Sequence, residues 1–275
     1  MSCAFDPLIA AWQSGNAHSL TDLFTPTARW TIDGEALEAN EIALTIGASL
    51  ETRPHVHITL RRAFQDLRDS AWWAGEWVLR SSVDGQAWDE IEQGLLLQTA
   101  PDGRIATLRT HNDHGSVRQV SRDAPVRDEH WPKWLPPASR PLDHDQIVAL
   151  QHRHVMSGWR TGSEDMVISC HGETGLIQTS FELVRGHEQL RHSVRNYFAN
   201  YADTHIDIHH IVFDGEWLAI NQTWRCTNRL TGVHAGDQDL NIGIIREGKL
   251  WRWREYYDSR KSAQTAEQTA FGKPS

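Results

Sequence analysis

Apolar positions recur along this chain at two distinct periods. Helical spacing runs through FDPLIAAWQ (5–13), EIALTIGASL (41–50), IVALQHRHVMSGW (147–159) and HEQLRHSVRNYF (187–198). Alternation or short β-rich runs, bounded by turn residues, mark RPHVHITLRRAF (53–64), WWAGEWVLRSS (72–82), WDEIEQGLLLQ (88–98) and DGRIATLRTHND (102–113). They return in DTHIDIHHIVF (203–213), LAINQTWRCTN (218–228), DQDLNIGIIRE (237–247) and EGKLWRWREYYD (247–258). These periods predict helices and strands respectively. Asp84-Gly85, Asp102-Gly103 and Glu247-Gly248 predict hairpin turns.

The order of elements is the same in both halves: an opening helix, a short helix running into a strand, a longer helix, then three or four strands. Such self-similarity predicts a duplication. Gly94 aligned with Gly243 sets the register of the third strand pair, and His55 then faces His205. The stretch RQVSRDAPVRDEHWPKWLPPASRPL (118–142) is rich in proline and charge and lacks periodicity, which predicts a connecting segment. The expected organisation is a first copy over 1–117, a linker over 118–142, a second copy over 143–263 carrying the principal pocket, and a flexible tail over 264–275. Helices that precede a mostly antiparallel sheet predict an α+β domain, its curved sheet enclosing a conical cavity against the helices.

Bulk properties narrow the function. With 275 residues the chain suits two domains. The formal net charge of −9 and pI near 5.9 leave no electrostatic footprint for nucleic acid. Cys3, Cys170 and Cys226 lie far apart with no CxxC spacing, which argues against a disulfide framework or a thiolate zinc site. No basic leader or long apolar run is present, so a cytoplasmic protein with no membrane partner is expected. Thirteen tryptophans suit either aromatic-lined cavities or core filling. No GxSxG elbow or glycine-rich phosphate loop occurs, and neither a cofactor nor a metal is expected.

The element order, the ending EGKLWRWREYYD and its weaker twin DGRIATLRTHND resemble the nuclear transport factor 2-like superfamily, and within it the SnoaL-like branch. That resemblance implies two cone-shaped domains paired as an intrachain pseudo-dimer, with further homo-oligomerisation open. Its members include ketosteroid isomerases, scytalone dehydratases, limonene epoxide hydrolases, polyketide cyclases and binding or scaffold proteins, so it implies a small-molecule pocket without choosing a reaction. The last strand resembles the epoxide hydrolase ending, with Glu255 where that family has aspartate. Gln222 and Trp224 stand where that family has arginine and aspartate, which speaks against its mechanism. By resemblance to scytalone dehydratase-like members, His205 is a candidate general acid or base.

Alternation along the last strand places Trp253, Glu255 and Tyr257 on one face, inward because large rings belong inside and the arginines between them suit a surface. Counting back from Gly243 puts Asn241, Asp239 and Asp237 on a common face, and the same count from Gly94 gives Glu92, Glu90 and Trp88, so both copies are expected to offer carboxylates at equivalent places. Carboxyl groups in an apolar pocket have raised pKa values and exchange protons near neutral pH. The candidate catalytic residues are Glu255, Asp239, His205 and Tyr257, and the candidate substrate-binding residues are Trp224, Trp253, Gln222, Asn241 and His210. In the first copy Leu108, Thr110 and Asn112 match the last-strand positions without an ionisable group. Two functions fit: a cofactor-independent lyase, isomerase or cyclase acting on a small, largely apolar carbonyl or hydroxyl compound, or a non-catalytic protein gripping an apolar or cationic ligand. A scaffold whose cavities hold its own side chains also fits.

Overall fold

The computed structural model describes residues 3–138 and 140–258; the tail expected over 264–275, and the end of the second copy from 259, lie outside the described residues. The chain forms two compact units, Met1–Asp128 and Glu129–Ser275, the division falling inside the proline-rich stretch. The first unit runs α1 (Asp6–Gln13), α2 (Ala17–Thr21), β1 (Phe24–Ile32), β2 (Glu35–Glu38), α3 (Ala39–Thr52), β3 (His55–Gln65), β4 (Trp72–Ser82), β5 (Trp88–Thr99) and β6 (Ile105–Val120). The second repeats it: α4 (His144–Gln151), a π-helical stretch (His152–Trp159), α5 (Glu164–Ser169), β7 (His171–Gln178), β8 (Leu183–Arg185), α6 (Gly186–Asn200), β9 (Tyr201–Phe213), β10 (Trp217–Asn228), β11 (His234–Arg246) and β12 (Lys249–Tyr256).

Each unit has one curved six-stranded sheet, ordered β2-β1-β6-β5-β4-β3 and β8-β7-β12-β11-β10-β9. Only the β1–β6 and β7–β12 pairs are parallel. The tandem α+β architecture is thus present, with an extra short strand before each long helix.

Local signals explain the element ends. Asp143 caps α4 in a capping box with Gln146, and Ser163 caps α5. The β11–β12 hairpin turns through Glu247 and Gly248, both at positive φ (51° and 69°), the backbone that a two-residue turn of matching twist requires. In the first unit Ile42, Ile46 and Leu50 on one stripe of α3 join Trp77, Leu95, Leu97 and Leu108 in a single core. In the second, Leu190 and Val194 of α6 join Leu218, Ile220 and Trp253.

The ladders define which residues of the two units are equivalent. Trp30 pairs with both Leu37 and Leu108, just as Ile177 pairs with Val184 and Trp253, so Leu108 occupies the place of Trp253. Leu108 faces Leu97 across the next ladder, and Trp253 faces Gly243. The first-unit counterpart of Gly243 is therefore Leu97, and the register set by Gly94 is three residues out. An odd shift along a strand exchanges its two faces. Gln93, opposite Trp77, is the true counterpart of Asp239, which lies opposite Gln222. The carboxylates expected inside the first unit instead lie on the other side of its sheet. Glu90 is buried there between Arg80 (Nη2–Oε2 2.6 Å) and Arg118 (Nε–Oε1 2.6 Å), and Glu92 meets Arg61 at 2.5 Å. Burial alone would raise the Glu90 pKa; hydrogen bonds and charge from Arg118 and Arg80 outweigh it and hold the group below its ordinary value.

A second expectation also changes. Arg252 and Arg254 point away from the helices as expected, yet each is only 1% exposed. The Arg252 guanidinium lies 5.4 Å from the Trp131 ring and 5.8 Å from the Trp217 ring, and Arg254 lies 4.9 Å from the Tyr256 ring. Residues 131–136, within the proline-rich stretch, strap this side of the second sheet: Trp131 and Trp134 pack edge-on against Trp217 and Trp251, and Thr174 donates to the Trp134 carbonyl at 3.0 Å.

Candidate active site in the second unit

A cavity of about 550 Å³ opens between the second sheet and its helices. Its wall combines β10 (Gln222, Trp224), β11 (Asp237, Asp239), β12 (Trp253, Glu255) and Tyr257 just after it with Trp159 and His154 from the π-helical stretch and Tyr197 from α6. Alternation on three adjacent strands puts these side chains on one face, as in any sheet packed on one side.

The floor depends on Gly243. A Cβ there would stand 2.7 Å from Cε3 of Trp253, so the missing side chain is what lets the indole lie across the sheet. Trp253 in turn donates its Nε1–H to Glu255 Oε1 at 3.2 Å. Burial raises the Glu255 carboxyl pKa to about 7; the Trp253 hydrogen bond opposes this and the nearby Glu182 charge adds to it.

Asp239 sits deeper, 8% exposed. Its Oδ2 accepts from Gln222 Nε2 at 3.2 Å and Asn241 Nδ2 at 3.3 Å, while its Oδ1 is buried with no hydrogen-bond partner among the described residues. Burial, foremost, together with the charges of Glu255 and Asp237, drives the Asp239 pKa well above the usual carboxylate range, beyond what the two amide bonds offset. Because Oδ2 already receives two N–H donors, the proton of the neutral acid belongs on Oδ1. Both carboxyl groups of this wall are shifted upward, and the charge of Glu255 adds to the shift of Asp239.

Aromatic rings form the opposite part of the wall. Trp224 donates its Nε1–H to the Tyr197 hydroxyl at 2.9 Å, and that hydroxyl lies 2.9 Å from Thr204 Oγ1. The Tyr197 and Tyr201 centroids are 5.1 Å apart, and they lie 6.0 and 6.3 Å from Trp224. Burial pushes the Tyr197 phenol pKa up, so it remains neutral at any ordinary pH. Phe181 and Tyr257 pack together, at 6.1 Å, where Phe181 is 62% exposed.

Of the candidates drawn from sequence, Glu255, Asp239, Tyr257, Trp224, Trp253 and Gln222 line this cavity. Asn241 is buried behind it and touches it only through Asp239. His210 stands opposite Asn221 beside a β-bulge and is not part of the wall. His205 is placed differently from expectation: its Nε2 meets Asp207 Oδ1 at 2.8 Å, Asp207 pairs with Arg225, and the group is partly exposed on the side of β9 away from the cavity, whose neighbour Ile206 faces in. The sequence-derived acid is thus at the wrong face of its strand. His55, its first-unit match, is exposed and lies beside Trp88 at 6.3 Å.

The histidine at the cavity is His154, which sequence reasoning passed over. It is 5% exposed, its Nε2 accepts from Trp159 Nε1 at 3.1 Å, and it lies 3.1 Å from His171 Nε2. Burial lowers its pKa to about 4, so the ring is neutral at physiological pH. The only available signal was a run of apolar and polar residues that departs from the 3.6 period over 152–159, where the π-helical stretch adds a residue per turn. Asp237 was on the counted face of β11 but was not singled out, and Tyr197 was read only as part of a helix.

Part of the second unit matches a known domain family. No curated protein matches the chain. Among solved structures, an epoxide hydrolase of limonene-epoxide-hydrolase type from Mycobacterium tuberculosis is 14% identical, with 46% of this chain and 92% of that one covered and a TM-score of 0.40. A hypothetical protein of ketosteroid isomerase-like fold from Catenulispora acidiphila, in complex with trimethylamine, is 12% identical over 48% and 100%, with a TM-score of 0.41. TsrD from Streptomyces laurentii is 15% identical over 45% and 96%, with a TM-score of 0.40. Residues 152–254, which hold most of the cavity wall including Trp253, match the family described as the SnoaL-like domain. The second unit thus matches the SnoaL-like domain over residues 152–254 and is preceded by a unit of the same strand order.

Proposed function

We propose that the second-unit cavity is the active site of a cofactor-independent acid/base enzyme of lyase, isomerase or cyclase type, acting on a small, largely apolar carbonyl or hydroxyl compound. The observation that carries this reading is the carboxyl pair in one cavity wall: Glu255, whose pKa burial raises to about 7, and Asp239, raised well above the usual carboxylate range. Glu255, as carboxylate, removes a proton. Asp239, as neutral acid, donates to the oxygen on which negative charge develops, or to the departing hydroxyl. Positioned proton transfer of this kind contributes about 10²- to 10⁴-fold to a rate. Asp239 takes the acid's role expected of His205. Trp224, Trp253 and Tyr257 hold the substrate by packing, and Gln222 and Asn241 fix the orientation of Asp239.

The experiment is a thermal-shift screen of small aromatic, polyketide-like, steroid-like and quaternary ammonium compounds on the wild type and on Glu255→Gln, followed by product analysis of the hits. A ligand of the folded state raises apparent stability by mass action. Conversion by the wild type alone, with both proteins stabilised, is the expected result. Stabilisation of both without conversion by either favours a non-catalytic small-ligand binding protein, a reading supported by the aromatic wall of Trp159, Tyr197, Tyr201 and Trp224.

A further inference from the structure

His154 lines the cavity from the π-helical stretch, and its contacts fix which ring nitrogen carries the proton. The Trp159 indole N–H can only donate, so His154 Nε2, 3.1 Å from Trp159 Nε1, must accept and carries no hydrogen. His171 Nε2, 3.1 Å from the same nitrogen, then bonds to it only by donating. Burial holds both imidazoles neutral at physiological pH, so the proton of His154 belongs on Nδ1. The two nitrogens of an imidazole point in nearly opposite directions. Nε2 is turned to His171, which is 2% exposed and not part of the wall, and the Nδ1–H edge of His154 is on the other side of the ring. A neutral imidazole donor stabilises negative charge on an oxygen without giving up its proton and without bringing a net charge into the site.

We propose that His154 is the oxyanion donor of this cavity: its Nδ1–H bonds to the oxygen of a carbonyl ligand, and Trp159 and His171 are positioning residues that hold it in that tautomer. This goes a step beyond the acid/base reading and rests on the cavity being a ligand site. Glu255 and Asp239 move protons, whereas His154 keeps its own; a carbonyl oxygen has two lone pairs and accepts from His154 and Asp239 together. Trp159 decides the direction. Two histidines facing each other can exchange donor and acceptor roles, but an indole N–H cannot, so His154 Nε2 is bound to accept only while Trp159 is in place.

The test has two arms on the full chain. NMR of the ¹⁵N-histidine-labelled protein at neutral pH should show His154, assigned by its loss in His154→Asn, with hydrogen on Nδ1 and none on Nε2. Trp159→Phe, which deletes the indole N–H, should bring in the Nε2–H form. An Nε2–H form or an imidazolium in the wild type overturns the proposal. The second arm compares acetophenone with 2-phenylpropene, which has a methylene in place of the carbonyl oxygen. His154→Leu should lower the affinity for the ketone relative to the alkene by about fivefold, the size of one hydrogen bond. His154→Asn, whose amide reaches the place of Nδ1, should keep the ratio within about twofold, whereas His154→Gln, whose amide reaches the place of Nε2, should lose it as leucine does. Unchanged circular dichroism and unfolding temperature establish that the variants are folded, and if His154→Leu does not fold, the asparagine and glutamine variants carry the comparison. A ratio unchanged in His154→Gln, or no acetophenone binding at millimolar concentration, overturns the proposal. Failure here is separable from failure of the acid/base reading: turnover lost in Glu255→Gln and untouched in His154→Gln would leave that reading standing while this one falls. A ketone preference that follows His154 without any turnover would do the opposite.

Discussion

The two units share a strand order and differ in what fills the space under the sheet. In the first unit Trp30 donates its Nε1–H to Thr110 Oγ1 at 3.0 Å, and Trp77 donates to Gln93, whose amide in turn donates to Asn112. In the second unit the same five backbone places hold Ile177, Glu255, Gln222, Asp239 and Tyr257. Two indoles and a hydrogen-bonded chain that ends on the Asp33 carboxylate become two smaller side chains, a phenol and two carboxyl groups lining a cavity. A second exchange runs the other way: Leu97 and Leu108 face each other where the second unit has Gly243 and Trp253. One backbone plan therefore yields either a filled interior or a cavity, depending on where the large rings stand. A filled interior with paired polar groups suits stability, whereas the raised pKa of Glu255 costs stability and marks a working site.

Four measurements break or sharpen this contrast. The largest effect is expected on turnover: Glu255→Gln should lower kcat by about 10²-fold or more, while Thr110→Val at the equivalent first-unit place should leave it within twofold; loss on changing Glu90 with none on changing Glu255 would reverse the assignment. Next, removing one partner of a buried ion pair leaves the other charge uncompensated, so Glu90→Ala should destabilise the chain by about 3 kcal/mol in urea unfolding, with ligand binding in the second unit unaffected.

Third is the pH dependence. The folded-state pKa of Glu255 is raised from 4.5 to about 7, so the folded chain binds more protons than the unfolded one between those values. Its contribution to stability then falls as pH rises through that window and stays low above pH 7. Glu255→Gln should remove this slope and unfold later than wild type at pH 8, by roughly 2 kcal/mol after discounting for the open cavity, and the two should converge near pH 4. Wild-type activity should rise through about pH 7 as Glu255 ionises; a rate flat from pH 5 to 9 would remove it as the base. The smallest effect is the coupling at the floor. Gly243→Ala pushes against both the Trp253 ring and the Arg252 carbonyl oxygen, each 2.7 Å from the new Cβ, and should cost about 1–3 kcal/mol; Trp253→Leu relieves only the ring contact, so part of that cost should remain while a double-mutant cycle shows coupling of at least about 0.5 kcal/mol.

Much of the second-unit wall was legible from alternation alone. Glu255, Trp253 and Tyr257 share a face because side chains alternate, and Asp239 follows from the same count on β11. His205 failed because its placement was carried by resemblance: Asp203, the third residue of β9, stands at positive φ (53°), and the ladder breaks between Arg225 and Thr227 opposite, so counting from the preceding helix does not decide the face. His154 and Tyr197 were hidden because a helical residue's access to a cavity depends on how the whole helix is docked.

The sequence by itself determined the duplication, the helix and strand periods, the hairpin turns and the inward face of the last strand, all of which depend on neighbours within a few positions. Tertiary structure decided the rest. Pairing across β5 and β11 set a register that the glycines misstated by three residues, sending Glu90 and Glu92 to ion pairs on the far side of the first sheet. It also decided that two tryptophans fill one interior while the other remains open. Register and filling depend on contacts between residues distant in the chain, and because strand faces alternate with period two, a single odd shift is enough to move every carboxylate from one side of a sheet to the other.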